Sequence, residues 1–358
     1  MSLLVIDQSV NELAKKVYER HFEVDPHLHN EYDNRQKRLM YSDILYNLSF
    51  LDTAMKFDDN RIFRDYAVWV YQLLCAVMKN LSRERIKEHM LTHYQVLQEA
   101  LVEALPEAEY QKACHHIGNA IRATEQEYAQ PSSPSRFQNP RFLDIKKNYL
   151  ACVLRNDTQG AMQVIQAAQE EGLSLQEIYL DVLQEVMYEV GNLWHQNAIT
   201  VDKEHYITST TQLVLSQFYP LIFNKPRNGC RLLACTVGSE LHEMGARMVS
   251  DLFEYNGWDS IYLGAAVPTP AILAAITEHH PDLIALSVTM PQHLRLCHET
   301  VFSIRRKFPQ LKIAVGGRAF QTTDELWKKW DVDISTQDAS QLVEWASDHI
   351  ATAGGVRG

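Results

Sequence analysis

The chain has 358 residues, 46% hydrophobic and 22% charged, the balance of an ordinary soluble globular protein of two or three domains. Its formal net charge of −11 argues against a general nucleic-acid binder, because phosphate contacts need a basic footprint. No apolar run is long enough to span a membrane, and the N-terminus MSLLVIDQSVNELAKK has no signal-peptide pattern. Cys75, Cys114, Cys152, Cys230, Cys235 and Cys297 form no CxxC pair, which fits reduced thiols in a cytoplasmic protein.

Residues 1–128 read as a helical bundle of unknown role. Ile44, Leu48, Leu51 and Met55 recur at spacings of three and four. Phe63, Tyr66, Val70, Leu73, Leu74 and Val77 do the same in the next segment, and Ile86, Met90, His93, Leu97 and Leu101 in the one after. Asp59-Asn60 and Asn80 to Ser82 are the expected helix starts. The basic clusters RQKRLMYS and LSRERIKEH read as solvated helix ends. His93, His115 and His116 lie on helices; a tetrapyrrole or metal site there is an open alternative to a structural role.

The Pro- and Ser-rich stretch 129–140 is a linker. Residues 141–223 then form four helices, expected near 141–155, 158–171, 174–195 and 201–222, a compact bundle. NKPRNG is a second linker, and from Cys230 the pattern changes. RLLACTV, DSIYLGA, DLIALSV and LKIAVGG are short apolar strands, separated by helices expected at 244–256, 269–280, 292–308 and 322–330. A fifth strand at 332–334 and a helix at 338–350 complete residues 230–350. Apolar strands alternating with helices indicate a parallel sheet covered on both faces, of the flavodoxin-like size class. The predicted fold class is thus α plus α/β, and ligands of such sheets bind beyond the carboxyl ends of the strands.

Three constellations stand at such positions. Glu240, His242 and Gly245 follow the first strand; an imidazole in that loop is a good metal ligand, and a carboxylate can orient its second nitrogen. Ser287 and Thr289 end the third strand, and Gly316-Gly317 ends the fourth. Together these would line a groove suited to a narrow polar tail, with backbone close at the glycines. In the second helical block, Trp194 and His195 close one helix, and Glu204 and His205 open the next. Aromatic, imidazole and carboxylate groups at one helix junction can make a pocket for a flat polar ligand.

Together these residues resemble the cobalamin-binding module of methionine synthases and of the CarH-type light-sensing repressors, over roughly residues 141–350. Glu240-x-His242-x-x-Gly245, Ser287-x-Thr289 and Gly316-Gly317 follow the pattern of the Rossmann-like half. Much of the wider family has Asp where Glu240 stands. Trp194, nine residues, then Glu204-His205 is similar to the signature of the adenosylcobalamin photoreceptors, and His195 fits that branch too.

The resemblance implies a cobalamin, with adenosylcobalamin the expected form. His242 would replace the cofactor's own base beneath cobalt, with Glu240 in support. The displaced nucleotide tail would enter the groove of Ser287, Thr289, Gly316 and Gly317. Trp194 would pack on the adenosyl group, Glu204 and His205 would hold it, and His195 would become the upper cobalt ligand after photolysis. The four-helix block would be the cap over the corrin. The light-sensing repressors begin with a winged helix-turn-helix domain, whereas residues 1–128 show no basic recognition helix. Direct DNA binding is therefore not expected, and the output is expected to be a protein partner or a homo-oligomer. No residue is assigned a catalytic role. The rival reading is a corrinoid methyl carrier for a methyltransferase, which uses the same His242 but has no need of the Trp194, Glu204 and His205 cage.

Overall fold

The computed structural model describes residues 8–132, 137, 139–336 and 338–350. Residues 133–136 and 138 of the expected 129–140 linker lie outside the described residues, as do residues 1–7. The chain divides into two units, one of Met1–Ser133 with Thr322–Leu326, the other of Pro134–Gln321 with Trp327–Gly358. No helix among the described residues is long and apolar enough to cross a membrane.

The first unit is helical. Its helices are Gln8–Val24, Leu28–Glu31, Asn34–Phe57, Asn60–Val77, Arg83–Ala104 and Glu107–Ala129. Their starts are set by side chains that accept otherwise unpaired backbone N–H groups. Asp33 and Gln36 form a reciprocal capping box, Asp59 accepts from the Arg61 amide and Ser82 from the Arg85 amide. Ile44, Leu48, Leu51, Ile86, Met90, Leu97 and Leu101 are buried as their spacing predicts. The helix Asn60–Val77 is rotated from its expected phase. It buries Ile62, Phe63, Tyr66, Ala67 and Tyr71, and leaves Val77 exposed. This helix is apolar on more than one face, so periodicity alone does not fix its inner stripe.

His93 and His115 have ring-nitrogen partners within the bundle, whereas the buried Nδ1 of His116 has none among the described residues. His93 Nδ1 lies 2.9 Å from His21 Nε2 with the rings stacked, and burial pushes the imidazoles down to about 3 and about 4 respectively. His115 Nε2 lies 2.9 Å from Asn60 Oδ1. Among the described residues no group of three His, Cys, Asp or Glu is arranged to hold a metal ion.

The second unit carries the sheet. β1 (Arg231–Thr236), β2 (Asp259–Tyr262), β3 (Leu283–Ser287), β4 (Lys312–Gly316) and β5 (Ile334–Ser335) pair in the order β2-β1-β3-β4-β5, all parallel. Strand order reverses between β1 and β3, and a crevice opens at such a switch point, outside the carboxyl ends of the strands. The last strand starts two residues later and ends one residue later than expected, with Ile334 and Ser335 opposite Ala314 and Val315. The expected helix 322–330 does not form. A short helix Arg318–Gln321 and a 3-10 turn Leu326–Lys329 replace it, with Glu325 at positive φ between them.

Ahead of the sheet lie helices Leu143–Leu154, Thr158–Glu170, Gln184–His195 and Val201–Ser216. The expected helix 174–195 starts with a π turn, Glu177–Leu183, that runs directly into Gln184–His195. The expected helix 201–222 breaks after Ser216 and resumes as Tyr219–Ile222. One apolar core runs through these helices and the sheet, from Tyr149, Ile178 and Leu183 to Leu232, Phe253 and Trp258.

Candidate functional site

The site is built around the loop that follows β1. Thr236 Oγ1 donates to the Glu240 carbonyl at 2.6 Å and accepts from the Ala266 amide at 3.0 Å, which ties the loop to the one after β2. Gly238 has φ +69, and a Cβ there would stand 2.6 Å from Leu296 Cδ1, so this turn requires glycine.

The loop folds around a buried carboxylate. Glu240 is 1% exposed, while the side chain of His242 is 59% exposed. Glu240 Oε1 accepts from His242 Nδ1 at 2.6 Å and from the His242 amide at 3.0 Å. Its Oε2 accepts from the Thr289 and Met290 amides at 2.9 and 2.8 Å. Burial raises the Glu240 carboxyl, but the hydrogen bonds from His242 and the Met290 amide overcome it and hold the group down to about 2. The hydrogen bond to Glu240 raises the His242 imidazole in turn; burial opposes this, and the charges of Glu240 and Glu204 add to it. A carboxylate only accepts, so Nδ1 carries the proton and Nε2 is the nitrogen with a lone pair.

The third and fourth strands complete that side. Ser287 pairs with Gly316 in the sheet, and Thr289 reaches the site through its backbone amide. Gly317 has φ +95, and a Cβ there would fall well inside contact distance of the Val288 carbonyl. Open space surrounds the Cβ positions of Gly316 and Gly245.

On the helical side, Trp194 and His195 end Gln184–His195 and are half-buried. The chain turns through Asn197 at φ 53, with the Asn197 amide bonded to the Trp194 carbonyl at 2.9 Å, and re-enters a helix at Val201. Glu204 Oε1 accepts from Thr208 Oγ1 at 2.8 Å, and Oε2 lies 2.7 Å from Nδ1 of the exposed His205. Gln212 donates to Glu243 Oε1 at 3.1 Å, and Tyr262 donates to Glu243 Oε2 at 3.0 Å. Glu204, Thr208 and Gln212 recur every fourth residue on one helix face, and that face meets the His242 loop.

The structure therefore gathers Glu204, Glu240, His242 and the Thr289 backbone into one place. It keeps Ser287 beside Gly316-Gly317, and Trp194 with His195 at one helix end. Sequence reasoning missed Thr208, Gln212 and Glu243. Their spacing of four from Glu204, and the adjacency of Glu243 to His242, carried the signal. It also missed Leu241, which is 69% exposed beside His242.

Comparison with known proteins agrees on these two halves. A B12 binding domain matches residues 230–341, and a second B12 binding domain family matches residues 145–218. The HTH-type transcriptional repressor CarH of Myxococcus xanthus is 26% identical over 157 residues, which cover 43% of this chain and 51% of that protein. The repressor CarA of the same organism is 29% identical over 122 residues, 33% of this chain and 41% of that protein. The chain thus spans about half or less of the length of these relatives. The monomethylamine corrinoid protein of Methanosarcina barkeri shares the fold at 16% identity and a TM-score of 0.51, covering 57% of this chain and 98% of that one. With both B12 binding domains in order along the chain, and a sheet whose switch point carries Glu240 and His242, this is a cobalamin-binding protein.

Proposed function

We propose that the chain is an adenosylcobalamin-dependent light sensor that signals through protein–protein contact. The observation that carries this reading is the place of Glu204 on the helix face that meets the His242 loop through Gln212 and Glu243. Held by Thr208 in the first turn of the helix that follows the Trp194–His195 end, its carboxylate adds its charge to those that raise the His242 imidazole. A carrier that must leave its upper face open has no use for such a polar group.

The residues fit the cofactor. His242 offers Nε2 on an exposed ring whose other nitrogen is already spent on Glu240. Leu241 beside it, and Leu296 against Gly238 of the same loop, expose apolar surface suited to a broad, mostly apolar macrocycle. Gly317 packs its backbone against the Val288 carbonyl, closer than a side chain permits, next to Gly316 at the Ser287 end of β3. In this reading His242 would ligate cobalt, and Ser287, Thr289, Gly316 and Gly317 would hold the nucleotide tail. Trp194, Glu204 and His205 would hold the adenosyl group. His195, next to Trp194, would be the imidazole available once that group is gone. The bound cofactor supplies a weak cobalt–carbon bond that absorbs visible light. The chain's residues orient it, exclude water, and change their own contacts when it is lost.

The test compares adenosylcobalamin and methylcobalamin. Glu204→Ala and Trp194→Ala are expected to weaken the adenosyl form about tenfold or more, the cost of a lost charged hydrogen bond, and the methyl form little. Green light is expected to change the absorption spectrum of the wild-type adenosylcobalamin complex irreversibly in the absence of fresh cofactor. Equal weakening of both forms, with no light response, would instead support a corrinoid methyl carrier serving a partner methyltransferase.

A further inference from the structure

The rim of the sheet's carboxyl end is acidic with one exception. From the end of each strand to the first residue of the following helix, the carboxylates are Glu240, Glu243 and Asp338, and Arg318 is the single lysine or arginine. Arg318 directly follows Gly316-Gly317, opposite the Ser287 end of β3. Its backbone is pinned on both sides: Gly317 lies against the Val288 carbonyl, and the Ala319 amide donates to that same oxygen at 3.1 Å. The side chain is exposed, and among the described residues no carboxylate lies within ion-pair distance of its guanidinium. Its partner is a ring. Arg318 Cζ stands 5.8 Å from the centroid of Tyr188, on the helix Gln184–His195. Burial raises the Tyr188 hydroxyl, and the charge of Arg318 offsets part of that rise.

An exposed, un-neutralised guanidinium on a fixed base, steadied by an aromatic face, is suited to a planar two-pronged grip on a phosphate. Cobalamin's nucleotide tail contains one phosphodiester, a monoanion, and the surrounding carboxylates would repel it. Resting on the cobalamin assignment above, we propose that Arg318 binds the tail phosphodiester, with Tyr188 holding the guanidinium ready. The pair then selects complete corrinoids over those that lack the nucleotide. A cation released from Tyr188, or shared with it, also connects the tail groove to the helix that ends in Trp194.

The full chain is titrated in the dark with cobalamin and with cobinamide, which lacks the nucleotide and its phosphodiester. Arg318→Gln is expected to lower cobalamin affinity about tenfold or more and to leave cobinamide affinity within about twofold. Arg318→Lys is expected to recover part of the loss, and Tyr188→Leu to show a smaller loss in the same direction. Unchanged far-UV circular dichroism of each variant reports an intact fold. An equal loss for both corrinoids makes Arg318 a packing residue and overturns the proposal, as does no loss for either. If the wild-type chain binds neither corrinoid, the cobalamin assignment itself falls, an outcome distinct from the other two.

Discussion

A carboxylate with two oxygens can orient one group and anchor to another, and Glu240 does both. Oε1 receives the His242 ring and amide, while Oε2 receives two amides of the chain just beyond β3. The orientation of His242 is therefore tied to the backbone just beyond β3, not only to its own loop. Glutamine in place of Glu240 still accepts from His242, but its NH2 group then faces the Thr289 and Met290 amides, two donors with no acceptor. Glu240→Gln is expected to cost about 1–3 kcal/mol of stability, measured by urea denaturation of the chain without cofactor. A variant as stable as wild type would mean that solvent satisfies those amides. The pairing of Glu240 with His242 is readable from their positions in one strand-end loop. Its reach to residues 289 and 290 is not, because β1 and β3 are neighbours only in the folded sheet.

Along the helix Met244–Tyr255, the residues that meet the helical half are polar and spaced by four. Glu243 just before it accepts from Gln212, Arg247 contacts the Tyr219 hydroxyl, and Asp251 Oδ2 accepts from the Tyr179 hydroxyl at 3.1 Å. Burial pushes the Asp251 carboxyl up to about 6, against the pull of Arg247 and the Tyr179 hydrogen bond. This seam sits beside a continuous apolar core, so it gives the two halves a register and the core gives them adhesion. Tyr179→Phe keeps the ring's packing and strips a buried carboxyl of its donor, and is expected to lower stability by roughly 1–3 kcal/mol in a thermal or urea melt. No measurable change would make the seam incidental. Elements of this kind were legible in outline: β1 to β4 fall on the apolar runs, and the helices between them lie where expected. The π turn at Glu177–Leu183 and the broken segment after Arg318 were not. A π turn is built from the same helix-forming residues as an α turn, and TTDE reads as helix as readily as turn.

At the scale of the molecule, two B12 binding domains occupy the stretch from residue 145 to 341, and a separate helical unit precedes them. That unit buries its own core, and its buried His21 pairs with His93. Its periodicity indicated a helical bundle, and among the described residues no group of three His, Cys, Asp or Glu is arranged to hold a metal ion. The binding module was legible because its distinctive residues gather at strand ends: Glu240 and His242 share one loop, and Gly316-Gly317 ends β4. The central claim is that His242 is the lower ligand to cobalt. Its most direct test is the EPR spectrum of the purified chain loaded with cob(II)alamin, prepared with and without 15N-labelled histidine. The account predicts a nitrogen splitting that changes from a triplet to a doublet on labelling and is lost in His242→Ala. A splitting that ignores the label and persists in that variant would contradict it, since the nitrogen would then be the cofactor's own.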